Sequence, residues 1–218
     1  MTSSKSFDYV IVGAGSAGCV LANRLSSNPN TTVLLLEAGG SDAHPLIRMP
    51  AGIAKLASYG RRFNWSYDTE PEPELHNRRL WWPRGKVLGG SSSINAMCYI
   101  RGQAQDYDDW AAEGMPEWAY ENVLPLFRRS EHFVDGADDY HGSGGELWVS
   151  PLRHRNELSD IFIDAAQQAG HPANGDFNGA TQAGVGPYHV PPRREVAAMA
   201  HGMEEADRRA AATALALG

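Results

Sequence analysis

A glycine-rich turn between two short apolar runs constrains the fold of this chain more than any other feature. Residues 7–12 form a β-prone run that leads directly into residues 13–18, which have the spacing GxGxxG. Apolar residues then recur at helical spacing as far as Leu25, and a second apolar run occupies residues 32–36. The order strand, glycine turn, helix and strand predicts a βαβ unit with a parallel sheet in the first forty residues.

The same turn predicts a nucleotide site. A pyrophosphate needs backbone NH groups at a helix N-terminus without an obstructing side chain, as Gly13, Gly15 and Gly18 would provide. Glu37 ends the second run, where a carboxylate accepts hydrogen bonds from ribose hydroxyls and disfavours the 2′-phosphate of NADP. The residues alone leave FAD and NAD open, and a purely structural turn is the alternative.

Composition excludes several other classes of protein. The chain has 218 residues and a net charge of −7 without a run of Lys or Arg, so no nucleic-acid partner is expected. The two cysteines cannot form a disulfide framework, which favours a reducing compartment. No signal peptide and no integral membrane segment is recognised, because no apolar run approaches the ~18 residues of a spanning helix. We expect a cytoplasmic protein, with peripheral association at the inner membrane left open.

The remainder of the chain mixes loops with isolated elements. Residues 41–93 are rich in Pro, Gly, Trp and Arg, which is typical of a functional loop system. Asn122 is expected to cap a short helix that ends at Arg129, residues 146–150 to form a strand, and residues 158–169 an amphipathic helix. The alanine-rich segment 191–218 favours helix locally.

The eight histidines predict neither a metal site nor a catalytic base. Their spacings match no zinc-ligand pattern, so solvated loop histidines are the preferred interpretation. His141 is expected to order a loop and His189 to lie on a strand. His132 has no assigned role.

A second glycine cluster carries a family resemblance. Residues 84–95, with the sequence RGKVLGGSSSIN, place small residues where a backbone must approach a flat ligand. Together with its continuation to Asp108, this segment resembles the first signature of the glucose-methanol-choline (GMC) oxidoreductases. The resemblance extends from about residue 7 to 190 and includes Asn64-Trp65 and the segments 140–142, 176–179 and 184–188. Within the family the chain is most similar to FAD-dependent aliphatic alcohol dehydrogenases, with choline dehydrogenases next.

The resemblance implies an FAD site. The glycine turn would hold the pyrophosphate and Glu37 the adenosine ribose, while residues from the second cluster border the flavin. The implied cofactor-binding residues are Gly13, Gly15, Ser16, Gly18, Glu37, Ala38, Val87, Gly89, Asn95, Ala96, Met97 and Cys98. Some relatives attach flavin through a histidine at the position of Ile94, so the resemblance implies noncovalent FAD here.

The implied fold is α/β. A Rossmann-like FAD-binding βαβ domain, incomplete, would occupy residues 1–150, and an α+β substrate domain would begin at 151–190. Residues 191–218 do not resemble the sequence that follows in the family. We interpret this segment as a replaced or frameshifted end, and a natural short variant is the alternative.

The implied reaction is oxidation of an alcohol CH–OH group, in which hydride passes to flavin N5. A quinone is one class of electron acceptor that could then reoxidise the flavin. In the family the general base is a histidine near the C-terminus of a much longer chain. This sequence ends before that position, so no catalytic residue is assigned and a truncated form is expected. The alternatives are a noncatalytic FAD-binding remnant, choline as the substrate, and, third, an NAD-linked dehydrogenase.

Overall fold

The computed structural model describes residues 6–56, 60–191 and 213–216. The chain divides into two compact units, of which the first contains residues 1–96 and 193–218 and the second contains residues 97–192. The expected boundary near residue 150 stays a prediction.

The first unit is built on the βαβ segment that the glycine turn predicts. Strand β1 (Tyr9–Val12) leads into helix α1 (Ser16–Ser26), and strand β2 (Val33–Glu37) follows. The two strands are parallel and in register from Tyr9 opposite Val33 to Val12 opposite Leu36. This arrangement brings the glycine turn and the end of β2 to one edge of the sheet.

The segment Thr213–Ala216 forms a third strand, so the helical preference expected of the tail is wrong for these four residues. It pairs in parallel with β2, from Leu34 opposite Thr213 to Glu37 opposite Ala216. The backbone groups along the edge of β2 provide hydrogen-bond partners, which outweigh a weak local preference for helix. Residues 192–212 and 217–218 of the tail lie outside the described residues.

The loop system that follows β2 contains only short elements. They are helix α2 (Pro45–Arg48), helix α3 (Ile53–Leu56), strand β3 (Tyr67–Asp68), strand β4 (Trp81–Trp82) and 3₁₀ turns at Pro50–Gly52, Gly60–Arg62, Pro73–Leu75 and Gly90–Ser93. Strands β3 and β4 pair antiparallel. Ile47, Leu56, Phe63 and Val87 form a buried cluster that anchors the loops by apolar burial.

The second unit combines three helices with a pair of parallel strands. These are helix α4 (Ala104–Ala112), helix α5 (Tyr120–Ser130), strand β5 (Glu131–Phe133), strand β6 (Leu147–Val149) and helix α6 (Glu157–Gln168), with a 3₁₀ turn at Pro116–Trp118. None of the helices in the described ranges is long and apolar enough to span a bilayer.

Helix α5 begins two residues before the expected cap. The Asp108 carboxylate accepts a hydrogen bond from the Tyr120 amide at 2.9 Å, which satisfies an NH group at the helix start. The Asn122 side chain instead donates to the Pro116 carbonyl at 3.0 Å. Asn122 is therefore inside the helix, and its predicted capping role is wrong.

A buried polar cluster lies within the second unit. We use this name for Arg101, Glu131, His141, Asp176 and His189. Glu131 Oε2 lies 2.9 Å from an Arg101 guanidinium nitrogen and 3.0 Å from His141 Nδ1. His141 Nε2 lies 2.9 Å from Asp176 Oδ2. The interpretation of His141 as a solvated histidine is wrong, because its side chain is only 1% exposed and contacts two carboxylates.

The cluster favours ionised side chains at its centre. Burial acts to raise the pKa of Glu131, but hydrogen bonds from His141 and the Gly142 amide, with the charge of Arg101, lower it overall. Burial acts to lower the pKa of His141, but its contacts with Glu131 and Asp176 raise it overall. Burial lowers the pKa of His189, which favours its neutral form. The carboxylate of Glu131 is thus held by a guanidinium and an imidazolium.

Candidate functional site

Three glycines of the turn satisfy three different structural requirements. Gly13 has a φ of +97° and donates its amide to the Leu36 carbonyl at 2.7 Å. Gly15 precedes α1 in an extended conformation, and a Cβ there would meet no atom within 4 Å. A Cβ on Gly18 would collide with the Gly13 carbonyl oxygen. The first glycine makes the turn, the second leaves space, and the third permits close packing of helix and strand.

Glu37 is fixed by the backbone around it. Its Oε2 accepts a hydrogen bond from the Ala14 amide at 2.8 Å, and its Oε1 accepts one from the Gly39 amide at 2.8 Å. Each carboxylate oxygen has a further lone pair. Glu37 therefore ties the glycine turn to the end of β2 while it keeps capacity to accept hydroxyl hydrogen bonds.

The second glycine cluster packs directly against the first. Gly90 has a φ of +57°, and a Cβ there would lie 2.8 Å from the Gly15 Cα. The Gly89 amide donates to the Ala14 carbonyl at 2.8 Å, and the Ser16 and Ser92 hydroxyls are hydrogen-bonded to each other. Contacts this close require residues without side chains, which explains why two glycine-rich segments occur in one unit.

These segments border a cavity of about 520 Å³ in the first unit. Its lining residues are Val12, Gly13, Gly15, Leu36, Glu37, Ala38, Trp65, Tyr67, Arg84, Gly85, Gly90 and Ser91. The first turn of α1 contains no acidic residue, so its backbone amides and helix dipole favour an anion. Arg84 adds a cation to the lining. The cavity can therefore accept an anionic ligand with hydroxyl groups at the Glu37 end.

The floor of the glycine turn is apolar and unreactive. Cys19, on α1, is fully buried, and its thiol contacts the Ala14 carbonyl at 3.2 Å. Burial, with a smaller effect from the charge of Glu37, raises the pKa of this thiol to about 11. Cys19 is thus a neutral packing residue at pH 7 and is unsuited to nucleophilic chemistry.

Only some of the expected cofactor-binding residues line the cavity. Those that line the cavity are Gly13, Gly15, Glu37 and Ala38. Ser16, Gly18 and Gly89 contact the glycine turn or the second glycine cluster without lining the cavity, and Val87 is buried in the cluster that anchors the loops. Asn95 and Ala96 are exposed and are not among the lining residues, and Met97 and Cys98 belong to the second unit. The assignment of all twelve to FAD stays a prediction.

Sequence reasoning assigned no role at the site to Trp65, Tyr67 or Arg84. The Trp65 and Tyr67 rings are stacked, with centroids 6.0 Å apart. Asn64 is buried, and its side-chain oxygen accepts hydrogen bonds from the Ser66 amide at 2.9 Å and the Arg84 amide at 2.8 Å. Asn64 therefore holds two loop strands together beside the cavity. The Asn64-Trp65 pair was visible in the sequence, but Arg84, which Asn64 joins to this loop, lies 20 residues further along the chain.

Comparison with known proteins extends this description. A family model described as GMC oxidoreductase matches residues 7–211, which reaches beyond the expected limit near residue 190. An alcohol dehydrogenase [acceptor] of Pseudomonas putida is 54% identical over 185 residues, covering 84% of this chain and 33% of the relative. An oxygen-dependent choline dehydrogenase of Xanthomonas axonopodis pv. citri is 51% identical over 204 residues, covering 91% and 36%. The chain spans about a third of the length of these curated relatives.

Solved structures agree with this relationship. The crystal structure of pyridoxine 4-oxidase from Mesorbium loti is 35% identical and superposes with a TM-score of 0.87, covering 97% of this chain and 42% of its own. A formate oxidase of Aspergillus oryzae, studied for FAD modification, is 26% identical with a TM-score of 0.82, covering 99% and 39%.

Proposed function

Because the chain belongs to the GMC oxidoreductase family, we propose that it contributes the FAD-binding part of an oxidoreductase that acts on alcohol CH–OH groups. The observation that carries this proposal is the cavity bordered by two mutually packed glycine turns and the N-terminus of α1. We further propose that the βαβ segment is the start of a Rossmann-like FAD domain, which its parallel strands and glycine turn support.

The lining residues fit the parts of FAD. The open space at Gly15 and the free amides at the start of α1 suit the pyrophosphate, and Glu37 suits the ribose hydroxyls. Arg84 lies on the same lining and would offset the pyrophosphate charge. When bound, FAD supplies a two-electron acceptor for hydride. The residues of this chain hold and orient it and supply the electrostatic environment.

The chemistry also requires a group that removes the alcohol proton. Of the residues that line the described cavity, only Glu37, Tyr67 and Arg84 are titratable. Glu37 is bound to two backbone amides, Arg84 offers only hydrogen-bond donors, and Tyr67 offers a phenol. We therefore propose that this cavity binds the cofactor and does not provide the base. The alcohol and choline dehydrogenase relatives make small alcohols the proposed substrate class.

FAD that copurifies with the protein is expected to be noncovalent. Ile94 cannot form the histidyl bond that some relatives use, so acid precipitation should release yellow flavin into the supernatant. The measurement is flavin absorbance in supernatant and pellet. Flavin that stays in the washed pellet would contradict noncovalent attachment.

The purified protein is expected to bind FAD without oxidising alcohols. Loss of a general base typically lowers a rate by ~10²–10⁴-fold. The assay uses primary aliphatic alcohols and choline with a quinone or dye acceptor, and the Pseudomonas putida relative serves as the positive control. Turnover within about tenfold of the control would show that this chain supplies a base and would make it a complete catalyst.

A further inference from the structure

The buried polar cluster of the second unit brings together three groups that ligate metals. These are His141 Nε2, the Asp176 carboxylate and His189 Nδ1, and their ligand atoms all lie within 4.8 Å of one another. The three residues come from separate loops and are far apart in sequence, which explains why no histidine spacing predicted the grouping.

The separations suit a small divalent cation. His141 Nε2 lies 2.9 Å from Asp176 Oδ2, and His189 Nδ1 lies 3.6 Å from Asp176 Oδ1. Two ligand atoms at ordinary zinc distances in a tetrahedral site are about 3.4 Å apart. The two observed distances, which run to different oxygens of Asp176, fall on either side of this value, and all three ligand atoms lie within 4.8 Å of one another. Side-chain adjustments that draw the three atoms together would complete three corners of a tetrahedron.

His189 provides an independent indication of a ligand. Its side chain is only 8% exposed, and its Nδ1 is buried without a hydrogen-bond partner among the described residues. A buried nitrogen that lacks a partner is costly, and a cation bound to it would remove that cost.

The surroundings resemble those of metal-bound histidines. His141 contacts Glu131 through Nδ1, so a carboxylate orients the ring and directs Nε2 towards Asp176. The Phe133 ring stacks on His141 at a centroid distance of 4.1 Å and contacts His189 at 4.9 Å, which supplies an apolar wall. Asp176 is 34% exposed, so the cluster is open to solvent at this carboxylate.

We propose that His141, Asp176 and His189 form a binding site for a divalent cation of the zinc class. On binding, the cation would displace the Nε2 proton of His141 to solvent and replace its hydrogen bond with Asp176 Oδ2, and it would join three loops of the second unit. Its role would be structural. All three of its residues belong to the second unit.

The test uses the full chain without an affinity tag, stripped with EDTA and then titrated with Co²⁺ and Zn²⁺. We expect one equivalent of Co²⁺ to give the intense visible spectrum of a tetrahedral site, and Zn²⁺ to displace it and raise the unfolding temperature. Asp176→Asn and His189→Gln should each weaken binding at least about tenfold. His154→Gln and His171→Gln, which alter exposed histidines outside the cluster, are the matched controls.

Several outcomes would overturn the proposal. One is a Co²⁺ spectrum that stays octahedral and weak, with no rise in the unfolding temperature on Zn²⁺ addition. Another is binding that survives in both Asp176→Asn and His189→Gln while circular dichroism shows both variants folded. Loss of binding in the control variants would assign the cation to surface histidines. If His189→Gln does not fold, Asp176→Asn decides the question alone, because the partly exposed Asp176 tolerates an isosteric amide best.

Discussion

Replacing Gly15 with valine is expected to weaken FAD binding at least about 100-fold, or about 2.8 kcal/mol. The backbone there is extended, with a φ of −78° and a ψ of −170°, so valine fits without backbone strain. Its Cβ enters open space that borders the cavity, and its methyl groups would occupy the volume needed by the pyrophosphate. The measurement is isothermal titration of FAD into the substituted and parent proteins.

Two further variants separate binding from folding. Gly175→Val serves as the matched control, because Gly175 also faces open space and lies in the second unit. Gly18→Ala should instead lower stability by about 1–3 kcal/mol, because its Cβ would collide with the Gly13 carbonyl. Equal FAD affinities for the parent and Gly15→Val, with both proteins folded, would remove the glycine turn from the proposed site.

The elements near the glycine turn could be predicted because their signals are local. Periodicity and turn chemistry place β1, α1 and β2 within a residue or two of their observed bounds. The strand Thr213–Ala216 could not be predicted, because its pairing with β2 depends on a contact across most of the chain. The burial of β1 could not be predicted either. Its apolar residues favour a strand, but Val12 is 83% exposed.

The site residues also differ in whether the sequence could predict them. Gly13, Gly15 and Glu37 have a fixed local spacing, so the sequence identifies them as one feature. His141 and Asp176 meet only through the folding of distant loops, and a lone histidine in a glycine-rich segment is indistinguishable from a solvated one. Glu131 gives even less signal, because an acidic residue after an amphipathic helix is normally expected at the surface.

Replacing Glu131 with alanine is expected to lower the free energy of unfolding by about 3–5 kcal/mol. The Glu131 side chain is fully buried and accepts from the Gly142 amide at 2.9 Å in addition to its contacts with Arg101 and His141. Its removal would leave the buried Arg101 guanidinium without its counter-ion and the Gly142 amide without its acceptor. The measurement is urea unfolding in EDTA, so that bound cations do not contribute.

The control for this change is Glu113→Ala, which removes an exposed carboxylate from the same unit and should alter stability by less than about 0.5 kcal/mol. Glu131→Gln keeps the shape and one acceptor oxygen but loses the charge, so it should fall between the parent and Glu131→Ala. If Glu131→Ala unfolds at the same urea concentration as Glu113→Ala, Glu131 contributes no net stability. In that case the cost of desolvating Glu131 would cancel its attraction to Arg101 and His141, and Glu131 would serve only to orient His141.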